Sequence, residues 1–124
     1  MIKYAEISTY KLKQGARAQF DDLVRQQSWP MLQKHGVVVL AFGPSVDEED
    51  AYLLVRGYRD RVHRDEEQAD FYGSDDWLRG PRAAIVALIE EQISVFVSLD
   101  ANPWLQMIRS EPVLGDGENL AAGH

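Results

Sequence analysis

Hydrophobic positions along the chain change period in a regular order. Residues 2–12, "IKYAEISTYKL", hold Ile7, Thr9 and Tyr10 without Gly or Pro, which predicts a strand. Beyond Gly15, apolar residues at Ala16, Phe20, Leu23 and Val24 follow helical spacing. Pro30 cannot continue that hydrogen-bond ladder and biases Trp29 away from helix; "MLQKHG" reads as one more turn, capped at Gly36. The continuous run "VVVLAF", 37–42, predicts a well-buried strand, and "AYLLVRGY", 51–58, the next, joined by the acidic turn "GPSVDEED".

A second helix starts near Asp60 and stops at Gly73. Ser74 then caps a turn whose positive end carries Asp75 and Asp76. Gly80-Pro81 opens a further helix, "RAAIVALIEEQ", with Ile85, Leu88 and Ile89 on its buried side. "ISVFVSL", 93–99, is the fourth strand. The order is β-α-β-β-α-β, an α+β ferredoxin-like plait with a four-stranded antiparallel sheet. It occupies residues 1–100. Residues 101–124 read as a tail, docked over Trp104–Ile108 and frayed at its end.

Strand alternation separates two faces. Ala5, Ile7, Leu53, Val55, Ile93, Val95, Val97 and Leu99 fall on one. The other carries Tyr4, Glu6, Ser8, Tyr10, Tyr52, Leu54, Arg56, Tyr58, Ser94, Phe96 and Ser98. Two helices cover one face, and pattern alone does not say which. The second face then meets water, a cavity or another copy, and a homodimer through the sheet is the economical expectation. Glu6 and Arg56 fall on strands that a plait places side by side, which predicts a partnered buried pair.

Composition narrows the partners. The 124 residues include 20 acids against 13 Lys and Arg, net charge −7, which argues against nucleic acid or an anionic membrane surface. There are no cysteines, so disulfides and thiolate chemistry are excluded. "MIKYAEISTY" lacks the pattern of a signal peptide, and no apolar run nears the roughly 20 residues of a membrane span. A cytoplasmic protein is expected.

Candidate chemistry is sparse. His63 has Glu66 and Glu67 three and four residues on, with Arg59 and Asp70 in the same helical band. That is either a solvated ion-pair face or a pocket rim where an acid holds the imidazole tautomer; a metal site would need more converging ligands. Tyr72 and Trp77 are core wedges or supports for a flat ligand. Tyr10 and Arg56 are pocket candidates, with Arg56 suited to a carboxylate or enolate oxygen. The run 47–50 lacks the spacing of a calcium loop, no phosphate-binding Gly loop is present, and Gly73-Ser74 lacks the second Gly of a nucleophile elbow.

Four segments, "EISTYKLKQG", "WPMLQKHG", "YLLVRGY" and "FYGSDDWLRGPRAAI", together resemble the NIPSNAP-type members of the dimeric α+β barrel superfamily, over roughly residues 5–99. The resemblance implies a plait that dimerises through its sheet. It brings in a superfamily of cofactor-independent monooxygenases, isomerases, polyketide cyclases and haem-degrading enzymes. Such proteins often read Glu-Leu-Arg-x-Tyr in the first strand; here the Arg position is Ser8, so no charge is carried over to it. The expectation is a small-molecule enzyme without a tightly bound cofactor, acting on a hydrophobic or aromatic substrate between sheet and helices. His63, Tyr72 and Arg56 are its catalytic candidates. Tyr10, Trp77, Phe96 and Glu6 are its substrate-binding candidates, and no metal is expected. The alternatives are a non-catalytic dimeric ligand-binding or stress-related module and, more weakly, a haem protein with His35 or His63 as axial ligand.

Overall fold

The computed structural model describes residues 1–100; the expected docked segment and tail lie outside the described residues. The strands are β1 (Tyr4–Leu12), β2 (Val38–Pro44), β3 (Ala51–Tyr58) and β4 (Ile89–Ser98). Helices α1 (Arg17–Leu23) and α2 (Trp29–Lys34) join β1 to β2. Helices α3 (Arg61–Tyr72), α4 (Asp75–Arg79) and α5 (Arg82–Val86) join β3 to β4. The sheet runs β2-β3-β1-β4 with every pair antiparallel. This is the expected ferredoxin-like plait.

The polar and aromatic face of the sheet meets the helices. Tyr10, Leu12, Phe42 and Tyr52 pack with Phe20, Trp29, Leu32, Phe71, Trp77 and Ile85 into the main core. The aliphatic face points away from the helices. There Ala41, Val55, Ile7 and Val95 stand in cross-strand register, with Leu53, Thr9 and Ile93 in the next row. Ala5, Leu40, Ala41, Val55 and Leu99 form a second buried cluster on that side, while Ile93 and Val95 are 64% and 53% exposed.

Three local expectations are corrected. The first concerns Pro30, which does not break the helix. Residues Val24–Ser28 widen into a π turn in which the Trp29 N–H donates to the Val24 carbonyl. A regular α turn would drive the proline ring into the carbonyl four residues back, and the extra residue moves that carbonyl aside. Trp29 stays helical before the proline, held by its buried indole against Phe42, ring centroids 5.1 Å apart. The second concerns α5, which ends at Val86, so β4 begins at Ile89 rather than 93. A bulge in β4 sets Leu12 opposite Ile89 and Lys11 opposite Glu91, leaving Glu90 over. The extra residue puts Ile89 on the helix side, out of step with Ile93, and hides the strand from a period-two reading. The third is that β4 ends at Ser98, one residue before Leu99.

Candidate functional site

Helix α3 is inside out by ordinary standards. Val62 is 65% exposed, while Arg64, Gln68 and Tyr72, four residues apart, form a polar stripe toward the sheet. That stripe meets Glu6, directly opposite Arg56 in the β1–β3 register. Oε2 of Glu6 accepts from Arg56 Nη2 at 2.7 Å and from Gln68 Nε2 at 2.8 Å, and Oε1 accepts from Arg64 Nε at 2.7 Å. The side chains of Arg56 and Glu6 are 3% and 4% exposed. The expected pair is therefore present, and α3 supplies the further donors that its burial requires.

Arg56 also donates through Nη1 to the Tyr72 hydroxyl at 2.8 Å and, at 3.4 Å, through Nη2 to Ser8 Oγ. Ser8 shares a hydrogen bond of 2.8 Å with Ser94. The small Ser8 side chain leaves the guanidinium room above β1. Burial works against the Arg56 charge, but Tyr72, Tyr58, Tyr10 and Glu6 more than offset it and hold the group cationic, above its ordinary range.

Beside this network lies a cavity of about 450 Å³ between sheet and helices. Its walls include Phe20, Trp29, Tyr52 and Trp77, and its polar groups include Glu6, Tyr10, Arg56 and Tyr72. The exposed lining residues Tyr72, Arg82, Val86, Gln92 and Ser94 mark the mouth. The rings contact one another: Phe20 meets Tyr52 edge-on at 4.9 Å, and Tyr72 meets Trp77 edge-on at 5.4 Å. Burial, then the nearby Tyr72, pushes the Tyr10 phenol up to about 12. Burial and a 2.5 Å hydrogen bond donated to Asp21 push Tyr52 above the ordinary tyrosine range.

The structure brings Glu6, Tyr10, Arg56, Tyr72 and Trp77 to one cavity and leaves His63 and Phe96 outside its lining. His63 Nδ1 accepts from the Arg59 backbone N–H at 2.9 Å, so Nε2 carries the proton toward Glu67, 3.1 Å away. It lies in a separate surface depression with His35, Arg59, Glu66, Glu67, Asp70 and Phe71. Phe96 stacks on Tyr4 with Arg61 and Arg64 over its ring. Neither His35 nor His63 is placed to ligate a haem in the cavity. Neither lines it, and Nε2 of His35 is bonded to Asp76 at 3.0 Å. Among the described residues no group of three His, Asp or Glu side chains could hold a metal ion.

Sequence reading missed Arg64, Gln68, Arg82, Trp29 and the Ser8–Ser94 bond. For Arg64 and Gln68 a signal was available. "RVHRDEEQADFY" has no apolar stripe wide enough for a core-facing helix, so polar residues must face inward.

Fold and cavity together define an α+β plait with a pocket on its helical side. No family model matches the sequence, and no curated protein matches it. Solved structures do. An uncharacterized NIPSNAP domain protein from Burkholderia xenovorans matches with TM-score 0.69 at 18% identity, over 76% of this chain and 91% of its own. A NIPSNAP family protein of unknown function from Agrobacterium tumefaciens matches with TM-score 0.72 at 20% identity, over 78% of this chain and 87% of its own. A proposed antibiotic biosynthesis monooxygenase from Nitrosomonas europaea matches with TM-score 0.59 at 17% identity, over 76% of this chain and 95% of its own. The fold is thus the NIPSNAP-type ferredoxin-like fold that the four sequence segments resemble. Among the described residues no helix is long and apolar enough to cross a membrane.

Proposed function

We propose that this chain is a small-molecule enzyme without a tightly bound cofactor, of the monooxygenase or isomerase/cyclase kind. Its substrate is hydrophobic or aromatic and lies between sheet and helices. The observation that carries the reading is the Arg56–Tyr72 hydrogen bond beside a cavity walled by aromatic rings. A guanidinium donating to a phenol oxygen makes that phenol O–H a stronger donor. The pair is suited to charge developing on an enolate or phenolate oxygen, where such groups act most strongly out of water. Trp77 and Tyr10 would flank the ring, and Glu6 would hold Arg56 in place. His63 and Phe96 act from outside the cavity: His63 packs edge-on against Tyr58, which accepts from Gln68, and Phe96 lies beneath Arg64. The likeness to a proposed monooxygenase lends support at the level of fold.

The test is mass spectrometry of reaction mixtures after incubation in air with a panel of phenols and quinones. Product that disappears in Tyr72→Phe supports the enzyme. Melting shifts without product would refute catalysis and favour a second reading, a non-catalytic dimeric ligand-binding or stress-related module. One observation favours that alternative: both Glu6 oxygens are occupied and Tyr10 is held protonated to about pH 12. The proton acceptor would then have to be the substrate itself, or solvent at the mouth.

We also propose that the aliphatic sheet face joins a second copy of the chain. Its central rows carry no charge, and the exposed Ile93 and Val95 continue the rows of Ile7, Leu53 and Val55 into one apolar face, the kind of patch that marks an interaction site. The nearest opposite charges, Lys11 across from Glu91, sit at the rim. A two-fold pairing would cover these rows on both partners at once.

A further inference from the structure

The chain as a whole carries a net charge of −7, but its cavity does not share that sign. Among the described residues, the charged ones that line it are Glu6, Arg56, Arg64 and Arg82. Both oxygens of Glu6 are taken by Arg56, Arg64 and Gln68. Arg64 finds a second carboxylate, Asp65, 3.1 Å away at the surface. Arg82 is exposed at the mouth and has no ion pair among the described residues. Among the described residues three guanidinium groups thus meet two carboxylates, and one positive charge is left over. Within the network, Arg56 Nε is fully buried and has no hydrogen-bond partner among the described residues. A buried donor left unpaired is costly unless something completes it.

From this we infer that the cavity selects an anion: a flat aromatic acid or acidic phenol bearing a single negative charge. Its ring would lie among Phe20, Tyr52 and Trp77, and its charge would face Arg56 and Tyr72, with Arg82 at the entrance. The inference rests on the cavity reading above and specifies its ligand. The surrounding negative charge of the protein sharpens the distinction. A charged acid would otherwise be repelled, so preference for one over its neutral counterpart reports the local field and not the global one.

Isothermal titration calorimetry with 2-naphthoate and 2-naphthylmethanol, which share a ring and differ in charge, tests it. The acid is expected to bind at least about tenfold more tightly, the scale of a hydrogen bond to a charged group. Arg82→Gln, at an exposed position that does not threaten folding, should cut the acid's affinity by about threefold and leave the alcohol's unchanged, with the loss shrinking in high salt. Equal affinities, or tighter binding of the alcohol, overturn the anion preference and leave the cavity reading standing. Binding of neither compound overturns both. A preference that survives unchanged in Arg82→Gln overturns the part assigned to the entrance.

Discussion

Replacing Glu6 by Gln keeps the shape of the side chain and removes one charge from the centre of the network. The structure sets the size of the effect. Arg56 is 3% exposed and would be left as a buried cation without its counter-ion, which costs about 3–5 kcal/mol. Arg64 is 26% exposed, so water replaces most of what it loses, and its share is under about 1 kcal/mol. The new amide also points a donor at one of the donors already there. With a urea m-value of about 2 kcal/mol per molar, the midpoint should fall by roughly 2 M. Trp29 and Trp77, both buried, provide the fluorescence signal. The double variant Glu6→Leu/Arg56→Met should recover part of the lost stability, because it removes the unpaired buried cation, while Arg64 and Gln68 still lose their acceptor. It should recover none of the binding of an aromatic acid. A midpoint shift below about 0.5 M in Glu6→Gln would refute the reasoning, since the buried charge would then have found another partner or never been buried.

Three further outcomes follow from the same structure. Ile93→Lys places a charge in the middle of the open sheet face and should convert a particle of twice the chain mass into a single chain in light scattering; an unchanged mass excludes this face as the interface. Asp76 is held below the usual carboxylate range by its hydrogen bonds from His35 and Lys34. Its ionised form is favoured by folding, so its contribution is present above the unfolded carboxylate pKa of about 4 and lost as pH falls through the lower folded value. Asp76→Asn should therefore melt at lower temperature than the parent at pH 7 and converge with it in acid; a constant gap would reject that assignment. Tyr10, Tyr52 and Tyr58 are all raised, burial being the largest cause of each. Here the protonated form is favoured by folding, so stability is full below about pH 10 and declines as pH rises past it toward and beyond about 12. Ultraviolet titration should show these phenols ionising only with unfolding; early ionisation of all the tyrosines would contradict the burial.

The plait was legible because its signals are local. Strand alternation in "IKYAEISTYKL" and "AYLLVRGY", and the Gly73–Ser74 and Gly80–Pro81 stops, each act within a few residues. Ser74 does cap α4, its Oγ accepting from the Trp77 N–H, as Asp60 caps α3 by accepting from His63 N–H. What local pattern does not carry is a one-residue insertion. The π turn before Pro30 and the bulge at Glu90 each add a single residue; the first turns the following helix by about 100°, and the second reverses which side chains of the strand face inward. Ile89 reaches the cavity only because of that bulge.

The site was half legible for a related reason. Glu6 and Arg56 could be paired from strand order alone, because sheet register fixes neighbours across the two central strands. The rest depended on which face the helices cover, and charge placement decides that. An aliphatic face over helices would have needed apolar inner stripes on them, but α3 offers Arg64, Gln68 and Tyr72 in line. Only a sheet face bearing Glu6 and Arg56 can satisfy those groups, since unpaired burial of either set would cost several kcal/mol. The helix and the sheet face therefore select each other through their polar residues. The same requirement sends Ile93 and Val95 to the opposite side, where no helix among the described residues reaches them.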